Sequence, residues 1–383
     1  MRKYTLYDDI RIDQKIENDM RKIVNTIIAK FGKDKIEAII LTGGFGRGEG
    51  SVLLKNGNPI PFNDYDVAVV PKETKLNKKC MASISQQLAR DLSIDEVSLW
   101  IIKKLHLKKR PLSISSYEMK MAHQVLYGNL DILTMMPHYE SRKLPLIQAT
   151  ILLYNRGIDL LKARKYLDTN PDWVGMTFLI NAINKIFLAI GESILILNNS
   201  YHYSYQERKK LLLKSKLIPF NDRSIIPLFN QAVDFKLRPN IQEFSNLDLK
   251  AKWFYAKNLH ERYFRFIEEE RLMRQINDWQ QYLPILDRYQ RPSIIDMFKN
   301  LRKNLYRFGF PYLVNYNILF RLFKNPGNLL LSLLPLLLYS FEKKRIREDY
   351  ISAAARFLDP KFKCNKNIDC SFIIRRFLNT GYF

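Results

Sequence analysis

One stretch constrains this chain more than any other. It begins LTGGFGRGEG at Leu41 and ends DYDVAVV at Val70. Gly43, Gly44, Gly46, Gly48 and Gly50 follow an apolar run, 36–41, that reads as a buried strand. Glycine, lacking a Cβ, lets a backbone turn sharply and approach a phosphate closely. Asp64 and Asp66 are two residues apart at the start of the next strand. Side chains alternate along a strand, so both carboxylates fall on one face. A pair of acids beside a phosphate-binding turn suits divalent-metal chemistry on a nucleoside triphosphate.

Three phosphate-binding architectures compete for such a turn. A P-loop ends in Gly-Lys-Ser or Gly-Lys-Thr, and that ending is missing. A dinucleotide fold needs a crossover helix between its glycines and an acid about 20 positions on. Asp64 lies at that distance from Gly44, but Asn56-Gly57, Asn58-Pro59 and Pro61 intervene and leave no room for the helix. Residues 51–54 and 59–62 instead flank Asn56-Gly57 as a two-residue hairpin. What remains is a strand, a Gly-Gly turn opening a short helix, and a strand carrying Asp-x-Asp.

The rest of the N-terminal region alternates helix and strand. Met20, Ile23, Val24, Ile27, Ile28 and Phe31 have helical spacing. Residues 81–92 read as a helix and 97–102 as a strand. A basic loop follows at 103–110, then a helix over 117–126, with a strand ending near 125–127. From about Pro145 strand signals disappear and long helical segments take over. The chain has 383 residues and is 47% hydrophobic, enough for two or three domains with real cores. We expect an α+β fold: a small mixed-sheet domain over 1–144, a large all-helical region over 145–300, and a basic helical region over 301–383.

The net charge of +24 points to polyanionic partners: nucleotides, nucleic acid or an anionic membrane surface. Cys80, Cys364 and Cys370 form no Cys-x-x-Cys and read as free thiols of a reducing cytoplasm. The N-terminal MRKYTLYDDIRIDQ has no apolar core of signal-peptide length. No run of 18 apolar residues occurs, so no spanning helix is expected and a cytoplasmic setting follows.

On Gly43-Gly44 after its strand and Asp64-Tyr65-Asp66 before an apolar run, the chain resembles the DNA polymerase beta-like nucleotidyltransferase superfamily. The longer pattern GGFGRGEG…PFNDYD, VLYG at Val125, and INKIFLAIGESILI…YHYSYQER is similar to that of uncharacterised bacterial and archaeal proteins in which a nucleotidyltransferase domain precedes helices. The likeness covers roughly residues 15–215. One departure is the gap between Gly44 and Asp64, longer than the family's usual spacing because a hairpin is inserted. The resemblance implies Mg²⁺, or Mn²⁺ in its place, held by Asp64, Asp66 and a third carboxylate on the following strand. Asp95 and Glu96 are the candidates. If Val97, Leu99 and Ile101 face the core, alternation favours Glu96, and Asp95 would cap the strand. It also implies that Gly43, Gly44 and Gly46 meet the triphosphate. Arg47, inside the turn, is a candidate for the β- or γ-phosphate, or a surface charge beside Glu49.

In the helical region Lys185 and Glu192 are seven apart and share a helix face. Lys185 is a candidate triphosphate ligand and Glu192 a candidate base, with Asn184 and Arg156 nearby in the pattern. Tyr201, His202, Tyr203 and Tyr205 would stack a base or sugar, or pack a helix end. Residues 329–341 are apolar and interrupted by Pro335, too short to span a bilayer. With basic flanks over 321–347 they suit either peripheral membrane contact or a core helix broken at Pro335.

The expectation is therefore an enzyme that moves a nucleoside monophosphate from an NTP to a small-molecule or sugar-phosphate acceptor and releases pyrophosphate. Three alternatives stand beside it: modification of a protein (AMPylation), extension of RNA, and non-catalytic binding of nucleotide or a membrane surface. No RNA-binding module is recognisable.

Overall fold

A computed structural model describes residues 3–55, 58–62, 64–72, 76–169, 171–244, 247–289, 294–308, 326–358 and 370–379. The Asn56-Gly57 turn, Cys364 and the basic flank at Arg321 and Lys324 lie outside these residues. The chain forms two compact units. One comprises Met1–Gln148 with Ile194–Ser245, the other Ala149–Ser193 with Asn246–Phe383.

The first unit is built on a four-stranded sheet in the order β5-β4-β1-β6. β1 (Ile36–Thr42) runs antiparallel to both β4 (Tyr65–Pro71) and β6 (Gln124–Gly128), while β5 (Val97–Ile101) is parallel to β4. β2 (Val52–Lys55) and β3 (Asn58–Pro61) pair antiparallel, with Lys55 opposite Asn58, as a two-residue connection requires. Helix α1 (Ile10–Phe31) is capped by Asp9, whose carboxylate accepts the Arg11 amide at 2.9 Å. Its Ile12, Ile16, Met20, Ile23 and Ile27 recur every three or four residues and are all buried. β4 and β5 are joined by α3 (Lys78–Leu92), which buries Met81, Ile84, Leu88 and Leu92 at the same spacing.

Two details of this region differ from the reading of the sequence. Residues 103–110 are not all loop: α4 (Lys104–Lys108) makes one turn there. A turn of helix buries Leu107 while leaving Lys103, Lys108 and Lys109 in solvent. The helix expected over 117–126 is α5 (Ile114–Met121), started by the Ser113 hydroxyl on the Ser116 amide, and β6 follows it at once.

The remaining described elements are helical: α6 (Ile147–Ala163), α7 (Trp173–Leu197), α8 (Tyr205–Leu213), α9 (Ile225–Leu237), α10 (Leu249–Leu272), α11 (Tyr282–Tyr289), α12 (Ile294–Phe308), α13 (Pro326–Leu338), α14 (Glu348–Leu358) and α15 (Cys370–Leu378). The fold class is thus α+β, a small mixed sheet near the N-terminus with a large helical region. α7 is long and apolar enough to cross a membrane by length and composition, with mean hydropathy 1.6 over its best window. Asn181, Asn184, Lys185 and Glu192 interrupt its apolar run, which is why counting uninterrupted residues passes over it. That window is 89% buried within the protein.

Within the second unit, α13 continues through Pro335 rather than breaking there, and the Tyr339 amide donates to the Pro335 carbonyl at 3.0 Å. Leu330, Leu333, Leu334, Leu336, Leu337 and Leu338 are all buried. These leucines are core, while Leu331 is half-buried. Two polar groups are locked into the same core. His260 is wholly buried between the Leu153 carbonyl and the Tyr339 hydroxyl, each at 2.8 Å. Glu268, also wholly buried, accepts from Arg271 and from the hydroxyls of Thr150 and Tyr282.

Candidate active site

Tyr65 sets the orientation of the acidic pair. Its side chain is wholly buried, its hydroxyl donates to Asp19 of α1 at 2.8 Å, and its ring meets Phe45 edge-on at 4.8 Å. Lys15 donates to the same Asp19 at 2.6 Å, so this buried acid is fully engaged. With Tyr65 driven inward, alternation turns Asp64 and Asp66 to the other face. Asp64 is exposed and Asp66 half-buried. The β4–β5 register sets Asp66 opposite Ser98 and Tyr65 opposite Val97. One step further back Glu96 comes level with Asp64, on the acidic face, and Asp95 falls on the alternate position. Both Asp95 and Glu96 are exposed, and Glu96 accepts a hydrogen bond from the Ser98 hydroxyl at 3.2 Å.

The glycine turn closes against this face. Thr42 pairs with Asp66 across β1 and β4. Gly43 to Gly46 then form a single helical turn, α2, which begins the short helix that the sequence pattern requires. Gly43 has φ of +63°, and a Cβ there would lie 2.1 Å from Asp66 Oδ2. Only glycine fits, because the Asp66 carboxylate rests on its backbone. A Cβ on Gly46 would strike the Leu41 carbonyl at 2.5 Å, and one on Gly44 would come within 3.3 Å of the Glu49 carbonyl.

Burial pushes the Asp66 carboxyl up to about 6, and the neighbouring Asp64 and Glu96 charges push the same way. Arg47 and Lys236 oppose them. Asp64, Asp66 and Glu96 therefore act on one another electrostatically, with two cations beside them. Such a set suits a hard divalent cation. Mg²⁺ characteristically takes one or two carboxylates and completes its shell with water and substrate phosphates. Among the described residues, no group of three or more His, Cys, Asp or Glu side chains gathers to hold a metal by itself. The pair at 64 and 66 fits the former arrangement, not a closed protein cage.

Arg47 is buried. Its Nη1 donates to Glu118 at 2.7 Å, its Nε lies 3.9 Å from Glu49, and its guanidinium sits 5.6 Å from the Tyr205 ring. Glu118 also accepts from the Tyr201 hydroxyl at 2.7 Å and from Arg208, itself wholly buried. Burial alone would raise the Glu118 carboxyl, but Arg47 and Arg208 outweigh it and hold it below the usual carboxylate range. Glu49 caps α8, accepting from the Ser204 hydroxyl at 2.7 Å and the Tyr205 amide at 3.0 Å. The aromatic run 201–205 is therefore fastened to the glycine turn: Tyr201 and Tyr205 are buried there, and His202 and Tyr203 stack at 4.3 Å, half-exposed.

Lys185 lies in the second unit, 3.5 Å from Asp159, which also pairs with Arg156 at 3.2 Å. Glu192 and Asn184 are buried in that unit, and the Asn184 amide donates to the Ile180 carbonyl at 3.0 Å. The reading of the sequence missed Lys236, Glu118 and Arg208. Glu118 and Arg208 sit in helices whose local pattern is ordinary, and Lys236 is one basic residue among many. Only long-range pairing marks them out.

No protein-family model matches the chain, and no curated protein matches it. Among solved structures, a spectinomycin adenyltransferase from Enterococcus faecialis, determined with ATP and spectinomycin, is similar over 64% of this chain and 98% of its own. The identity is 17% and the TM-score 0.37.

Proposed function

We propose that the protein is a Mg²⁺-dependent nucleotidyltransferase that moves a nucleoside monophosphate from an NTP to a small-molecule or sugar-phosphate acceptor, releasing pyrophosphate. One observation carries this reading: the Asp66 carboxylate rests on the backbone of Gly43, with Asp64 and Glu96 acting on it and Arg47 and Lys236 beside it. Asp64 and Asp66 would hold the metal. Bound there, it would polarise the α-phosphate and neutralise the leaving pyrophosphate.

The chain's own groups supply the rest. The turn at Gly43 to Gly46 offers backbone amides at the start of a helix, where the first N–H groups have no intrahelical acceptor. Lys236, whose charge acts on Asp66, suits a phosphate of the triphosphate. Arg47, held by Glu118, contributes its charge to Asp66. Glu96 or Asp95 would supply the third carboxylate.

A second reading, non-catalytic nucleotide binding, draws on the lack of a three-residue metal cluster among the described residues. One experiment separates the two. The protein is incubated with each α-labelled NTP, Mg²⁺ or Mn²⁺, and a whole-cell extract, and both label transfer and pyrophosphate are followed. Transfer that disappears in Asp64→Ala and Asp66→Ala supports the enzyme. Nucleotide binding without pyrophosphate release under every condition overturns it. Label that ends on protein or RNA instead reassigns the acceptor.

A further inference from the structure

The segment that leaves the glycine turn holds two helices at once. Glu49 accepts from the Tyr205 amide at 3.0 Å, at the start of α8. Two residues on, the wholly buried Ser51 donates from its hydroxyl to the Lys236 carbonyl, in the last turn of α9. Lys209 of α8 also pairs with Asp234 of α9 at 2.7 Å. The backbones of Tyr205 and Lys236 are therefore both fixed to the same short stretch of chain.

The side chains of these two residues meet as well. The Lys236 ammonium lies 5.8 Å from the centre of the buried Tyr205 ring, within reach of a cation–π contact. Arg47 and Arg208 lie 5.6 and 4.2 Å from the same ring centre. Three cations thus gather around one aromatic ring. Arg47 and Arg208 are both bonded to the Glu118 carboxylate, while the Lys236 charge acts on Asp66. A lysine ammonium sits on a flexible four-carbon stem, so holding it in one place costs rotamer entropy. A ring that attracts the ammonium beforehand lowers that cost when a ligand binds. The two guanidinium groups repel the ammonium, and the attraction of the ring works against that repulsion.

We infer that Tyr205 is a positioning residue, whose ring holds the Lys236 ammonium in place for a phosphate of the bound nucleotide. The inference rests on the role proposed above for Lys236, but it concerns polyphosphate binding alone and requires no transfer.

The test measures binding of MgATP and of magnesium tripolyphosphate to the full chain by calorimetry. Lys236→Met should weaken both at least about tenfold. Tyr205→Leu should weaken both about fivefold, and Tyr205→Phe, which keeps the ring, should bind as the wild type does. In a Lys236→Met background Tyr205→Leu should have no further effect, whereas a merely structural loss would persist there. Mono-, di- and trifluorophenylalanine at position 205 keep the ring's shape while draining charge from its face. Affinity should fall stepwise along that series, which keeps the test decisive if Tyr205→Leu does not fold. Affinity indifferent to fluorination, Tyr205→Phe as damaging as Tyr205→Leu, or full additivity in the double variant would each overturn the inference. So would a wild-type protein that binds neither ligand. Absence of pyrophosphate release with these affinities intact counts against transfer and leaves the inference supported.

Discussion

Three consecutive residues, Asp64, Tyr65 and Asp66, divide two tasks between the faces of one strand. Tyr65 anchors inward on Asp19 and Phe45, and the acids face the other way. Gly43 then fixes how closely the turn approaches Asp66. Gly43→Ala sets a methyl 2.1 Å from Asp66 Oδ2 at a φ that L-residues rarely adopt. We expect it to lower nucleotidyl transfer at least a hundredfold and to cost about 1–3 kcal/mol, read from turnover and urea unfolding of the same preparation. Asp66→Asn should do the opposite to stability. It removes a desolvated charge repelled by Asp64 and Glu96, so unfolding at pH 7.5 should shift by about 1 kcal/mol towards greater stability while transfer falls to background. A loss of stability in Asp66→Asn would show that the acids are not in conflict. The acidic pair and the glycines were legible in the sequence because both depend on local geometry, period-2 alternation and the absence of a Cβ. Lys236 was not, because its relevance arises only when α9 reaches the sheet.

At the scale of elements, the fastening between the glycine turn and α8 decides whether the turn is preorganised. Glu118 stands between two buried guanidinium groups, Arg47 and Arg208. Glu118→Gln removes the counter-charge that the two cations share, and breaking a buried pair in this way costs about 3–5 kcal/mol. The prediction is a loss of that size by denaturant titration, with the β-sheet signal retained below the transition. The sequence showed the partners, GRGE and YHYSYQER, without showing that they meet; segments some 150 residues apart carry no periodicity that links them. Secondary structure was more readable. The helices and the hairpin followed from spacing, while α4 was taken for loop because its lysines outnumber the one leucine that it buries. Pro335 was expected to break its helix. The surrounding leucine core, which excludes water from the strained turn, keeps it helical instead.

For the molecule as a whole, two compact units with separate cores should give two unfolding transitions, each with its own marker. Glu118→Gln should lower one. Acid should lower the other through His260. Burial drags that imidazole down to about 4, below its ordinary 6.5, while the Leu153 carbonyl partly opposes the shift. The unfolded state therefore binds a proton that the folded state refuses between those values. Stability is full above pH 6.5 and falls by about 1.4 kcal/mol per pH unit on acidification, about 3 kcal/mol in all by pH 4. Scanning calorimetry from pH 7 to 4 checks this. The slope should flatten in His260→Gln, whose amide can keep the bond to Leu153, and an unchanged slope would remove His260 as the cause. The charge of +24 belongs to this scale as well. It makes any nucleotide affinity dependent on ionic strength, so titrations with ATP should weaken as salt is raised.

The first unit is assembled from two stretches of chain, Met1–Gln148 and Ile194–Ser245. A fragment cut near residue 148 would carry the motif intact and keep Arg47, yet take Tyr201 and Arg208 from Glu118 and the start of α8 from Glu49. Inactivity in such a truncate would report a missing brace, and would say nothing about whether the acids can do chemistry.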